Sequence, residues 1–155
     1  MCYENGTMFD DGTLLRLSET GFRWVCGDEY AGEWLKEQAK KKKFKVIIKN
    51  STDQINNISV QGPNSRKILE KIIFTPPTQP TISELQWFRF TICRLEELNG
   101  IPLIVSRTGY TGELGYEVWC HPDHAPQVWD KVMEAGKDDG IIPAGFGALD
   151  LLSCL

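Results

Sequence analysis

Residues 106–117, Ser-Arg-Thr-Gly-Tyr-Thr-Gly-Glu-Leu-Gly-Tyr-Glu, constrain the fold more than any other stretch of the chain. An apolar run, residues 101–105, leads into them. Beyond the bend the sequence alternates: Leu114, Tyr116, Val118 and Cys120 fall on one face of an extended chain, and Gly115, Glu117, Trp119 and His121 on the other. Alternation of period two on both sides of a glycine-rich bend predicts two strands joined by a tight connection. Gly109 and Gly112 bracket Tyr110, and glycine tolerates a positive φ or the near approach of other atoms to the backbone. The connection therefore gathers a ring (Tyr110), a cation (Arg107) and two carboxylates (Glu113, Glu117). A decorated hairpin that binds nothing is the simplest alternative.

Glu117 sits mid-strand among aromatic neighbours. A carboxylate there must be paired or bound to donors, because burying it bare is costly. A planar ligand presenting two N–H groups would suit its two oxygens, and a salt bridge to Arg107 would satisfy it equally well. Tyr110 can stack on a flat ring or donate through its hydroxyl, or simply pack at a corner against Trp119. The other acidic feature is Asp10-Asp11, followed by Gly12 and a strand. Adjacent residues on extended backbone point oppositely, so one of the two can face a pocket while the other caps a turn. A plain surface turn is the alternative there. Gly145-Phe146-Gly147 is too short for a phosphate loop, and His121 and His124 assemble no nucleophilic triad.

Other classes are set aside by composition. A chain of 155 residues with 41% apolar and 25% charged residues reads as soluble and globular. Its formal charge of −4 argues against nucleic acid as a partner. The basic run Lys40-Lys41-Lys42-Lys43 with Lys45 falls at a predicted helix end, where cations offset the helix dipole. The five cysteines are odd in number, scattered and without a C-x-x-C pair, so neither a disulfide framework nor a zinc site is expected, and a cytoplasmic, reducing compartment is the simplest reading. No signal-peptide pattern and no bilayer-length apolar run is present, so no membrane partner is expected. Both ends read as cut. The apolar helical run from Ala148 to the end stops without a cap, which leads to the expectation of a fragment of a longer protein, with self-association through the truncated faces.

Taken in order, strands are expected around residues 8–9 and at 13–17, 22–26, 44–48, 55–60 and 88–96. Helices are expected over 30–39, after Pro63 through Ile73, over 83–87, through Ala125 to Met133, and from Gly145 onward, with a short strand at 141–142. The three prolines in 74–81 predict a linker. Strand, strand, helix, strand occurs twice, over 22–48 and 116–142. The expected fold class is therefore α+β, with two packed ferredoxin-like units of antiparallel sheet and helices on one face. The expected organisation is a partial first unit at 1–73, the linker at 74–81 and a second unit at 82–155.

Four segments in this order resemble the aminomethyltransferase family, the T-protein of the glycine cleavage system and its relatives: Met1-Cys2-Tyr3-Glu4-Asn5-Gly6 through Asp10-Asp11, Ser59-Val60-Gln61-Gly62-Pro63, residues 106–117, and Pro143-Ala144-Gly145-Phe146-Gly147-Ala148-Leu149-Asp150. The resemblance covers essentially the whole chain and the central folate-binding region of the family's longer protein. It implies tetrahydrofolate as cofactor and transfer of a methylene group from an amine on a lipoyl arm to N5 and N10 of tetrahydrofolate, with a lipoyl carrier protein as partner. Carried over by position, it makes Asp11 the catalytic carboxylate beside the reacting nitrogens, Glu117 the group gripping the pterin, and Tyr110 and Arg107 further folate-binding residues. The fragment alone is expected to be inactive. Gly27, Trp87 and Leu149 depart from the family's Asn, Tyr and Arg. These departures point to a relative acting on another methylated amine, such as the folate domain of a sarcosine or dimethylglycine demethylating enzyme; a folate-binding module without transfer chemistry is a separate alternative. The resemblance therefore leads to the expectation that Asp11, Tyr110 and Glu117 line one concavity between the two units.

Overall fold

Period-two alternation in four segments builds the larger sheet. In the computed structural model, which describes residues 1–153, strands β3 (Asn56–Gln61), β4 (Ile73–Phe74), β5 (Phe90–Leu95), β6 (Pro102–Ser106) and β7 (Gly115–Cys120) form an antiparallel sheet in the order β3-β7-β6-β5-β4. Helix α2 (Ser65–Glu70) crosses from β3 to β4, and α3 (Ala125–Gly136) follows β7. Ile58, Val60, Cys93, Leu95, Leu103, Val105, Tyr116, Val118 and Cys120 share one core with Leu69 and Ile72 from the α2 region and with Val128 and Val132 of α3. Both helices thus cover one face of the sheet. Burial pushes the Cys93 thiol up to about 12, so it serves as a small apolar side chain. The inward face of β7 is the one that Leu114, Tyr116, Val118 and Cys120 predict. The ring of Tyr116 is fully buried. Its hydroxyl keeps partners by accepting from Arg66 Nε at 3.1 Å and donating to Ile82 O at 3.4 Å.

The chain divides into two compact units, Met1–Ser51 and Thr52–Leu155. The second holds this sheet, α2, α3 and α4 (Phe146–Ser153). The first holds a hairpin, β1 (Gly12–Arg16) with β2 (Phe22–Cys26), and helix α1 (Ala31–Lys41). Phe9 anchors its N-terminal segment, with ring centroids 5.6 Å from Tyr3, 5.8 Å from Tyr30 and 5.9 Å from Trp34. The class is α+β with antiparallel sheets, consistent with ferredoxin-like units. Among the described residues no helix is long and apolar enough to cross a membrane.

Three expected elements are replaced by irregular chain. Residues 44–48 form no strand: Lys43 turns left-handed at φ 57°, Phe44 N–H closes onto Ala39 O at 2.9 Å, and the side chain of Ile47 is 99% exposed. A left-handed residue past the last turn is a helix stop, and no neighbouring strand among the described residues takes up the segment's ladder bonds. Residues 141–142 form no strand either. Ile141 folds back onto α3, its N–H bonding Gly136 O at 3.2 Å. Both copies of the expected repeat therefore lack their last strand. Residues 83–87 are a series of turns held by Glu84, whose carboxylate accepts from Thr81 N–H at 3.0 Å and Thr81 Oγ1 at 2.7 Å, while Leu85 is buried. Around residues 8–9 there is only an isolated bridge, Cys2 to Met8. Of the expected final helix, Cys154 and Leu155 lie outside the described residues.

One carboxylate joins the ends of α2 and α3. Asp139 accepts from Lys67 Nζ at 2.6 Å and Lys71 Nζ at 2.5 Å, and its side chain is 7% exposed. These hydrogen bonds, Lys67's first, hold its carboxyl below the usual carboxylate range. A depressed folded pKa contributes stability that is present above the unfolded carboxyl's range and is lost as pH falls through the folded value. Asp139→Asn is therefore expected to lower the urea midpoint at pH 7, with the gap from the parent closing on acidification. Urea titrations of both proteins at neutral and acidic pH check this, and a gap independent of pH would refute it.

Candidate functional site

The face of the sheet turned away from α2 and α3 is polar where β3, β7 and β6 meet. Asn57, Ser59 and Gln61 alternate along β3 with the buried Ile58 and Val60. The register sets Asn57 opposite Trp119, Ser59 opposite Glu117 and Gln61 opposite Gly115, and Ser106 of β6 lies on the other side of Glu117. Glu117, half-buried, is the carboxylate at the centre of this row. Its Oε1 accepts from Asn57 Nδ2 at 2.7 Å and its Oε2 from Thr108 Oγ1 in a short contact. Thr108 Oγ1 is 2.7 Å from Ser106 Oγ, which accepts from the Trp119 indole N–H at 3.1 Å. The salt bridge to Arg107 that the sequence also allowed is replaced by these bonds. Arg107 is half-buried and donates Nη1–H to Leu85 O at 3.2 Å.

The connection from β6 to β7 is held from below by Gln61. Its amide Nε2 lies 3.3 Å from Thr108 O, 3.2 Å from Tyr116 O and 3.1 Å from Ser59 Oγ. The two glycines act for the two reasons expected of them. Gly112 takes φ +70°, while at Gly109 a Cβ would stand 2.1 Å from Gln61 Oε1. The Gln-Gly-Pro segment contributes once more, Gly62 N–H bonding Leu114 O at 2.7 Å, and Ser65 Oγ at the start of α2 reaches the same carbonyl at 3.3 Å. Two segments about fifty residues apart in sequence therefore shape one loop. Tyr110, on that loop, is 64% exposed.

A second loop lies beside it. Phe88 N–H bonds Arg107 O at 3.1 Å, and Arg107 N–H bonds Arg89 O at 2.9 Å. Trp87 and Phe88 stack with centroids 5.4 Å apart and stay exposed, and Phe88 holds φ +55°. A bulky residue in the left-handed region is strained, and such strain concentrates at functional sites. Exposed rings beside an oriented carboxylate can take a flat heterocycle, with rings against its faces and the carboxylate on an edge bearing N–H donors.

Asp11 lies in the first unit and is exposed. Its neighbour Asp10 is the capping member of the pair, its carboxylate accepting from Asp11 N–H at 2.9 Å and Asp28 N–H at 3.1 Å. Asp28 in turn accepts from Tyr30 N–H at 2.7 Å where α1 begins. Asn57, Ser106, Thr108 and Trp119 are site residues that reading the sequence missed. For Asn57 the signal was the polar period-two row Asn57, Ser59, Gln61; for Trp119 it was its place on the same face of β7 as Glu117, while Ser106 and Thr108 carried none.

A family model described as the GCVT N-terminal domain matches residues 1–154. The chain is 53% identical over 152 residues to a trimethylamine-oxide aldolase of Ruegeria pomeroyi, an alignment covering 98% of the chain and 19% of that relative. It is 36% identical over 155 residues to an aminomethyltransferase of Alkaliphilus metalliredigens and 37% identical to one of Halothermothrix orenii, covering 98% of the chain and 40% of each relative. The chain thus spans less than half the length of these curated relatives.

Proposed function

Because this chain belongs to the GCVT N-terminal domain family, we propose that it is the pterin-holding part of a tetrahydrofolate-dependent enzyme that transfers a one-carbon unit taken from an amine. The observation that carries this reading is Glu117, a half-buried carboxylate oriented by Asn57 and Thr108 on a polar sheet face. Two oxygens held in one plane accept the two neighbouring N–H groups of an aminopyrimidine edge. Tyr110 on one loop and Trp87 with Phe88 on the other offer rings to the faces of the bicycle. Arg107 brings a permanent cation to the same bend, suited to an anionic tail. When bound, tetrahydrofolate supplies two nucleophilic nitrogens, N5 and N10, that take up the carbon. Asp11 is an exposed carboxylate of the first unit. In this reading it is the catalytic group, a negative charge that stabilises positive charge developing at the reacting nitrogens. A donor presented on a lipoyl arm would make a lipoyl carrier protein the partner.

The identity to a trimethylamine-oxide aldolase favours a second reading. Here the parent enzyme works on a methylated amine oxide, whose N–O bond is reduced to the amine as one methyl carbon is released at the oxidation level of formaldehyde. Condensation of that carbon with N5 and N10 expels one water and needs no lipoyl carrier. Gly27, Trp87 and Leu149 fit this reading better than strict glycine cleavage.

Titration of the chain with tetrahydrofolate, read by the fluorescence of its five tryptophans, tests the common core of both readings. Saturable quenching is expected, and its absence into the millimolar range would reject pterin binding. Feeding the full-length parent either a methylated amine oxide or an aminomethyl-loaded carrier, and assaying methylene-tetrahydrofolate, separates the two.

A further inference from the structure

We infer that Trp119, Ser106 and Thr108 form a one-way hydrogen-bond chain whose task is to hold Glu117 as an acceptor pair, which makes them positioning residues for ligand recognition. The inference rests on the pterin reading above.

Direction follows from what each group can give. An indole N–H only donates, and an ionised carboxylate only accepts. Trp119 Nε1 donates to Ser106 Oγ, and Thr108 Oγ1 donates to Glu117 Oε2. Thr108 has one hydroxyl hydrogen, and it is spent on Glu117. The 2.7 Å contact between the two hydroxyls must therefore run from Ser106 to Thr108. Every hydrogen in the chain points towards the carboxylate. A proton on Oε2 would meet that of Thr108, and reversing the chain would drive the Ser106 hydrogen against the indole N–H, which cannot accept. The carboxylate also fixes the amide of Asn57, since only its NH2 side can face Oε1.

Burial makes the arrangement specific. Ser106, Thr108 and Trp119 are 1%, 4% and 6% exposed, whereas Glu117 remains half-exposed. Water reaches the acceptor and not the donors behind it. One lone pair of Oε1 is tied to Asn57 and one of Oε2 to the buried Thr108, and the others remain for a ligand edge with two adjacent N–H groups. A hydrophobic residue in place of either hydroxyl would loosen the aim of Glu117 without removing its charge.

Calorimetric titration of the chain and of Thr108→Val, Thr108→Ser and Ser106→Ala, each with a tetrahydropterin and with its analogue lacking the exocyclic amino group, tests this. The parent should prefer the complete tetrahydropterin. Thr108→Val should weaken it by about tenfold or more, the range for a hydrogen bond to a charged group, and bring the preference close to unity. Ser106→Ala should shift in the same direction by less, and Thr108→Ser should restore both values. If Thr108→Val binds both ligands as the parent does, or weakens both by one factor, the chain is structural and the inference falls while the pterin reading stands. If the parent itself binds neither ligand, the pterin reading has failed and the inference falls with it.

Discussion

Glu117→Gln is expected to weaken tetrahydrofolate binding by about a hundredfold, about 2.7 kcal/mol, while the protein stays folded. Glutamine matches glutamate in size, so the packing of β7 is kept. What changes is hydrogen-bond polarity. One acceptor oxygen becomes an NH2 donor, yet Asn57 and Thr108 already direct donors at this position, one to each oxygen. Whichever way the new amide turns, it sets a donor against a donor, and a ligand edge with two N–H groups finds one acceptor where it needs two. Hydrogen bonds to charged groups contribute about 1.5–3 kcal/mol each, and leaving a donor unpaired adds to the loss. Calorimetry on the variant, with a thermal melt alongside, checks this. Unchanged affinity in a folded variant would remove Glu117 from the binding site.

Gly115→Ala should destabilise the second unit by about 2–4 kcal/mol, the range for forcing atoms into a filled site and breaking partly buried hydrogen bonds. A Cβ at position 115 would lie 1.6 Å from Gln61 Oε1 and 2.2 Å from its Cδ. An untethered glutamine would swing away at little cost. This one is tied to Thr108 O and Tyr116 O, so moving it releases the loop that carries Tyr110. Adding Gln61→Ala should make the double variant more stable than the sum of the two single losses predicts, by about 1–2 kcal/mol, the coupling expected of side chains in contact. Urea unfolding followed by tryptophan fluorescence measures all four proteins. A cost below about 0.5 kcal/mol, the level of a neutral surface change, would show that Gln61 is not the wedge it is taken to be.

The two loops that shape the site differ in how far they could be read from residues. Gly109, Gly112 and the alternation after them announce the β6–β7 connection, because a positive φ and a close approach each demand glycine. Gln61 stood out only as part of a motif, and its bond to the loop spans a strand pairing that no local pattern records. The loop at Trp87 and Phe88 reads as helix passing into strand, since nothing in residue type announces a left-handed phenylalanine. Arg107 looked like a partner for Glu117 from proximity in sequence. A carboxylate takes whichever donors the sheet brings to it, and here those come from β3 and from the hydroxyl of Thr108.

By itself the sequence determined which segments alternate, which face of β7 is apolar, where the backbone must bend, and that a carboxylate sits where it needs donors. These are properties of the chain within a few residues, set by side-chain period and by the φ range each residue permits. Tertiary structure alone decided that β3 lies beside β7, so that Asn57 meets Glu117 across sixty residues. It also decided that residues 44–48 and 141–142, apolar enough for strands, are not strands. A strand exists only when a neighbour accepts its hydrogen bonds, and neighbours are chosen by the packing of the whole unit, not by the residues that seek them.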